Sequence, residues 1–464
     1  MKNHMKKTLA ALLILTTFSV CHAQDDCDCR RALTRMITTV ETSYPGFNEK
    51  TPDKMLYTNF KENLNTRSLT TADPECVKLL KEYVSFFRDG HISVFASGDE
   101  TGEKAAGGKP DYSMPDTARF AERIRAAKDP LEGIWSSFTY KVGTTRQDSI
   151  YIGFIIDADT AFWKPGQVKF RLYTDGTADF YMRDHSLIKE NWKLVDGWIM
   201  SFSGANYIRE LPVPALTEEE KRKRLDEVEG FYFKKLTDAT SLLCISSFRH
   251  EFLERIGKLI ESNREAIESC GNLIIDIRNN GGGVYEGYSG LYPYILTNPL
   301  RGLGQEFLVT PTLLREIEGW YDGEDGKETV RRLKVKFNGK TGRFVNPDTS
   351  DVCIDTVKRS VRSPKQVVIL VDKGTASSAE AFALDARQSK KVKIMGIPTY
   401  GALDYGSACF FDFGCGNYKL MLPTWRSARL PDFPIDNIGI QPDFYLDKSV
   451  KDWVRFCVDY LEEK

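Results

Sequence analysis

The chain has 464 residues, 41% of them hydrophobic and 28% charged, with 64 Lys and Arg against 65 Asp and Glu. That is enough apolar mass for two or three domains with cores of their own. The near balance of charge, with no basic stripe and no like-charge tail, excludes nucleic acid as the expected partner.

Lys2, Lys6 and Lys7 precede the apolar run Leu9 to Val20, and Cys21-His22-Ala23 stands before polar Gln24-Asp25-Asp26. A basic start, a short apolar stretch and a small final residue read as a secretory signal over residues 1–23, not as a membrane span. Losing it takes the 64 basic residues to 61 against 65 acidic, a net charge of −4. Lipidation of Cys21 is the alternative, although Val20 stands where a small residue is usual. No other segment approaches the length of an apolar span. The mature chain is therefore expected to be exported to a bacterial periplasm or cell surface, soluble or tethered only at its N-terminus.

Residues 24–96 hold helix-compatible patterns such as Cys76 to Phe87 and lead into Asp89-Gly90-His91, which reads as a small helical domain. Residues 97–128 carry Gly98, Gly102, Gly107, Gly108, Pro110 and Pro115 among charges, a linker composition. From 129 to 211 short aromatic strands alternate with the turn pairs Asp175-Gly176 and Asp196-Gly197, predicting an antiparallel β module, a small barrel or a sandwich. Its Trp135, Trp163, Trp192 and Trp198 are expected to serve mainly as core, with glycan or peptide binding the alternative. Residues 212–227, with Pro212, Pro214 and a charged run from Glu218, read as a solvated linker or helix.

Residues 228–464 alternate strand and helix patterns, which predicts an α/β layered core. Phe248, Phe252, Ile256, Leu259, Ile260 and Ile267 mark one helix face ahead of the buried-strand pattern Asn272 to Asp276. That strand runs into Arg278-Asn279-Asn280-Gly281-Gly282-Gly283. Glycine lets backbone N–H groups approach a ligand, so the loop could supply an oxyanion donor; a tight turn is the plain alternative. It is not a nucleotide loop, since no Gly-Lys-Ser/Thr follows. A second buried strand, 366–371, ends in Asp372-Lys-Gly-Thr-Ala-Ser377-Ser378-Ala-Glu380, and Ala379, Phe382, Ala383 and Ala386 then recur at helical spacing. A serine at a helix N-terminus sits where developing negative charge is favoured. Ser377 or Ser378 could equally cap the helix with Glu380.

Of ten cysteines, nine remain after the signal, so at least one is unpaired. Cys27-Asp28-Cys29 lacks a matching second pair, so no metal is expected. Cys409 and Cys415 flank a hairpin pattern and read either as a disulfide or as buried thiols.

Taken together, "LIIDIRNNGGG" and the later "VVILVDKGTASSAEAFAL" resemble the S41 family of serine peptidases, the tail-specific and tricorn-like proteases. The resemblance implies a crotonase-like ββα core, Ser377 as nucleophile, and an oxyanion hole from the Ser378 and Gly282 amides. The processing-protease branch carries its catalytic lysine at a position occupied here by Ala402, so a Ser-Lys dyad is not expected. Asp89-Gly90-His91 resembles the "D-G-H-T" element of the tricorn-like branch, making His91 the general base. His4 and His22 lie in the signal, and His185 and His250 read as structural or surface groups. Asp436-Asn437-Ile-Gly439 resembles the tricorn-like "E-N-x-G" element, with Asp436 one methylene short of the family glutamate; an Asp-Asn turn is the alternative, and Asp89 is a rival carboxylate. Many family members insert a PDZ domain where this chain has its β module, and the resemblance does not cover that module. The expectation is a peptidase acting on a peptide or protein, with no cofactor. A catalytically silent peptide- or glycan-binding scaffold, or an esterase, is the alternative.

Overall fold

The computed structural model describes residues 27–96 and 117–463, apart from residues 138, 161, 184, 186, 321–322, 349 and 357–359. The segment read as a signal, with Cys21, and most of the 97–128 stretch lie outside the described residues; within that stretch Thr117–Arg125 is a helix.

A six-stranded sheet forms the centre of an α/β core. Its order is Phe231–Lys235, Thr240–Ile245, Asn272–Asp276, Gln366–Val371, Val392–Gly396 and Phe444–Tyr445. The first pair is antiparallel and the rest run parallel. Asn272–Asp276 is buried along its whole length, and Gln366–Val371 everywhere but its first residue, as strands covered on both faces must be. Leu273 and Ile275 face a core shared with Phe382, Ala383 and Ile256, while Ile274 packs toward Cys457, Val458 and Leu461 on the other side.

Parallel pairing of Asn272–Asp276 with Gln366–Val371 brings their C-terminal loops to the same edge of the sheet. This is where α/β sheets place their sites. One difference from the sequence expectation lies just upstream. The helix face drawn from Phe248 to Ile267 is broken into a 3-10 turn, His250–Phe252, and two helices, Leu253–Ser262 and Arg264–Ser269. Phe248 precedes them in extended backbone and bridges to Gly283. A Cβ at Gly283 would lie 2.1 Å from the Phe248 carbonyl carbon, so this contact requires glycine.

The N-terminal helices do not stand apart as a domain. Cys29–Ser43, Lys54–Ser68 and Asp73–Ser85, with Phe87 just beyond the last, bury Leu33, Met36, Val40, Leu64, Leu80 and Tyr83 in one cluster with Tyr405, Phe411, Leu420 and Leu422 from near the C-terminus. The strand Ser93–Ala96, just after His91, pairs antiparallel with Tyr418–Leu422, which in turn pairs with Cys409–Phe411. Two disulfides reinforce the arrangement, Cys27–Cys415 and Cys29–Cys76. The disulfide reading of Cys409 with Cys415 is thereby corrected: Cys415 pairs across 388 residues with Cys27, and Cys409 is a buried thiol in the hairpin.

Residues 133–211 form eight antiparallel strands that close into a barrel. Trp135, Trp163, Phe170 and Tyr207 fill it, each almost wholly buried. His185 belongs here, stacked 4.1 Å from the Trp163 ring, with Nε2 2.7 Å from the Phe162 carbonyl. A capped helix, Glu218–Glu229, leads from the barrel to the central sheet. Among the described residues no helix is long and apolar enough to cross a membrane.

Cys27→Ser should release the first helix from the hairpin and lower the unfolding free energy by about 2–4 kcal/mol, as measured by urea denaturation. An unchanged midpoint would show that this pair contributes no constraint.

Candidate active site

Two loops interlace at the sheet edge through their own backbones. The Ala376 amide donates to the Asn280 carbonyl at 2.9 Å, the Thr375 hydroxyl donates to the Ile277 carbonyl at 3.0 Å, and the Asn279 amide reaches Asp372 Oδ1 at 2.8 Å. Asn280, with no exposed surface, fixes the glycine loop from within: its Nδ2 donates to the Ile245 carbonyl at 3.0 Å and its Oδ1 accepts the Gly282 amide at 2.9 Å.

Ser377 sits at the tip of the second loop with φ 54° and ψ −122°, a conformation costly for a residue with a Cβ. It is the N-cap of the helix Ser378–Arg387, and Glu380 Oε2 accepts its amide at 2.9 Å. The capping geometry is therefore present, but the hydroxyl is aimed elsewhere: Ser377 Oγ lies 3.5 Å from His91 Nε2. That separation exceeds a formed hydrogen bond and is of the kind that tightens when substrate binds.

Glu380 is fully buried and has four donors. Besides the Ser377 amide it accepts the Thr399 hydroxyl at 2.5 Å, the Gly401 amide at 2.8 Å and the Ala402 amide at 2.9 Å. It thus joins the serine turn to the 399–402 loop, whose Tyr400 amide also donates to the Thr375 carbonyl. Ala402 is buried, and its methyl lies beside Gly90 in the His91 turn. The Ala402 position, where the resemblance puts a lysine in the processing-protease branch, is closed by this packing.

His91 arrives from the N-terminal layer. Its amide donates to Asp89 Oδ1 at 2.8 Å, its Nδ1 lies 3.5 Å from the same oxygen, and Tyr44 donates to Asp89 Oδ2 at 2.9 Å. At that distance the Nδ1 contact is electrostatic, and Nδ1 itself is buried without a formed hydrogen bond. Burial of the ring disfavours its cation, but the Asp89 carboxylate, helped by the fields of Asp436 and Glu380, outweighs this and raises the His91 pKa above its ordinary value. Tyr44 is held protonated by burial and by Asp89.

Asp436 and Gly282 make contacts of their own beside this pair. Among the described residues, the carboxylate in contact with His91 is Asp89, not Asp436. Asp436 Oδ1 accepts the Leu403 and Asp404 amides at 2.9 Å each, and its Oδ2 lies 3.1 Å from Lys50 Nζ. Burial and the nearby Asp89 raise its pKa, with Lys50 opposing. A side chain one methylene shorter than glutamate ends on this backbone pair. Its neighbour Asn437 makes the tie to the histidine turn, donating to the Arg88 carbonyl at 2.8 Å. Gly282 does pack against the serine turn: a Cβ there would be 2.9 Å from Ser377 Cβ and 3.0 Å from the Ser378 nitrogen. Its amide, however, is donated to Asn280, so it is not free for an oxyanion in this arrangement. Ser378 begins the helix, and its amide has no intrahelical acceptor.

Sequence reasoning saw Glu380 only as a cap, and missed Asn280, Lys50, Tyr44 and Asp404. Asp404 accepts the Ile435 and Asp436 amides at 2.8 Å and Arg429 Nη2 at 3.0 Å. Asn280 adjoins the glycines and could have been read with them; Lys50 lies in a four-residue helix, Phe47–Lys50, that carries no motif. His250 begins an exposed turn.

A strained serine at a helix N-terminus, facing a histidine that leans on a buried carboxylate, is the geometry on which serine-dependent acyl transfer is built. Comparison with known proteins makes this more specific: residues 240–446 match the family model described as Peptidase family S41. A 99-residue stretch is 32% identical to carboxyl-terminal-processing peptidase 2, chloroplastic, of Arabidopsis thaliana, covering 21% of this chain and 19% of that protein. The chain thus spans about a fifth of the length of the curated relative it matches. Two solved structures share the fold: mature CPAF complexed with lactacystin (TM-score 0.52, 13% identity, 94% of this chain and 97% of that one) and mature CPAF alone (0.50, 13%, 90% and 92%). At this identity the likeness is one of fold.

Glu380→Gln would replace one acceptor oxygen by a donor facing amide hydrogens. It should destabilise the protein by about 1–3 kcal/mol in chemical denaturation. A stability unchanged from wild type would mean that the four donors are satisfied in another way.

Proposed function

We propose that this chain is an exported serine peptidase that hydrolyses peptide bonds by acyl transfer to water. The observation that carries the reading is the Ser377 Oγ to His91 Nε2 approach of 3.5 Å across two layers of the fold. Ser377 attacks the carbonyl carbon while His91, neutral, takes the hydroxyl proton through Nε2. The same histidine returns that proton to the leaving amine. Water then attacks the acyl-serine, giving a proton to His91, and the product acid leaves as Ser377 regains it. Asp89 orients the imidazole and favours its cation during transfer. Asp436 acts through the loop it holds and through its field on His91.

The Ser378 amide supplies one oxyanion donor. Gly282 supplies the second once its hydrogen bond to Asn280 gives way to substrate. The leader pattern of residues 1–23 supports export, and a lipid tether at Cys21 would leave the site unchanged. A binding scaffold without turnover is favoured by one observation, the engaged Gly282 amide.

Incubation with a diverse peptide mixture, read by mass spectrometry, separates these readings. Wild type should yield cleavages absent from Ser377→Ala. No difference between two folded proteins would favour the binding scaffold.

His91→Ala should lower kcat/KM by about 10²–10⁴-fold. Because only neutral His91 accepts the proton and its pKa is raised, activity should fall with acidification through a value above the ordinary imidazole value of about 6.5. Asp89→Asn removes a group that raises that pKa, so the acid limb should move to lower pH as kcat drops. Asp436→Asn should move the limb less. A limb that stays in place in Asp89→Asn would contradict the role given to Asp89.

A further inference from the structure

A cleft of about 600 Å³ runs beside the His91 turn, between the end of the helix Asp73–Ser85, the strand Ser93–Ala96 and the 400–401 and Asn437 backbone. Gly90 and Ile92, on either side of His91, belong to its wall. The strand is an edge strand, paired on one side only among the described residues. Such an edge suits an extended peptide.

The charges of this cleft are one-sided. Lys81 and Arg88 line it, both exposed. The sole acid in its wall is Asp89, whose side chain is buried and already engaged by Tyr44 and His91. Four other cations of the same layer are matched, Lys50 with Asp436, Lys61 with Glu41, Arg67 with Glu82 and Lys78 with Glu75, while Lys54 donates to the Thr51 hydroxyl at 2.7 Å. Among the described residues Lys81 and Arg88 have no such carboxylate. Arg88 is also fixed at its root, because Asn437 binds its carbonyl and its φ is 47°. Two cations left without acids in a concave wall raise the local concentration of anionic groups and reward a carboxylate that fills the cleft.

We propose that this cleft selects peptide substrates carrying Asp or Glu side chains near the scissile bond, with Lys81 and Arg88 as the specificity-determining residues. The inference rests on the peptidase reading. It adds a substrate class, peptides with internal acidic residues, to the reaction of Ser377 and His91.

The test uses matched peptides that differ only by Asp or Glu against Asn or Gln within a few residues of the cleavage point, each with a free and an amidated C-terminus. For wild type, kcat/KM should favour the acidic member by about tenfold at low ionic strength, a difference of about 1.4 kcal/mol. The gap should narrow as salt screens it. The double variant Lys81→Glu/Arg88→Glu should reverse the preference, read as the ratio of kcat/KM for the acidic and neutral members within that variant, with its folding checked by circular dichroism. Equal rates for acidic and neutral peptides in wild type would overturn the inference. So would a preference lost on amidation, since the cleft would then be reading a terminal carboxylate. Absence of Ser377-dependent cleavage of any peptide, neutral ones included, would instead overturn the peptidase reading beneath it.

Discussion

The arrangement of the site depends on one buried carboxylate. Glu380 is sealed from solvent and would be costly there without compensation. Four donors, from Ser377, Thr399, Gly401 and Ala402, supply that compensation. Because they come from two separate loops, satisfying the carboxylate and assembling the site are the same event. The serine turn is held in its strained conformation, and the 399–402 loop is drawn against the turn that carries His91. Thr399 extends the tie by accepting the Ile440 amide, which brings the Asp436 segment into the same network.

A second set of constraints delivers the histidine. His91 and Ser377 are 286 residues apart, and the N-terminal helices reach the catalytic sheet by sharing a core with the C-terminal hairpin. The Cys27–Cys415 and Cys29–Cys76 pairs, the Lys50–Asp436 ion pair and the Asn437 bond to Arg88 all cross or brace that contact. The barrel stands between the two halves in sequence and has its own filled aromatic core.

Some of this was legible in the sequence and some was not, for physical reasons. The strands ending at Asp276 and Val371 are legible because burial on both faces demands an uninterrupted apolar run. The small-residue turn after the second strand singles out Ser377, and a chain with three histidines after residue 23 leaves few rivals to His91. The acid is different. A carboxylate's partner is set by where its last carbon ends: Asp436 stops at the backbone of Leu403 and Asp404, while Asp89, read from sequence only as a rival carboxylate, reaches His91. The engagement of the Gly282 amide by Asn280 likewise depends on a side chain folding back two residues, which no glycine motif announces. Disulfide partners 388 residues apart follow only from the shared core. Alternating strands between Asp-Gly turns fit a barrel and a sandwich equally well, and closure was decided by pairing of the first strand with the last.

The central claim is that His91 activates Ser377 in the resting protein. Its most direct test is the rate at which a fluorophosphonate modifies the folded chain, located by peptide mass spectrometry. The account predicts stoichiometric labelling at Ser377 alone in wild type, slowed by orders of magnitude in His91→Ala. Labelling at the same rate in His91→Ala, or none at Ser377 in folded wild type, would contradict it.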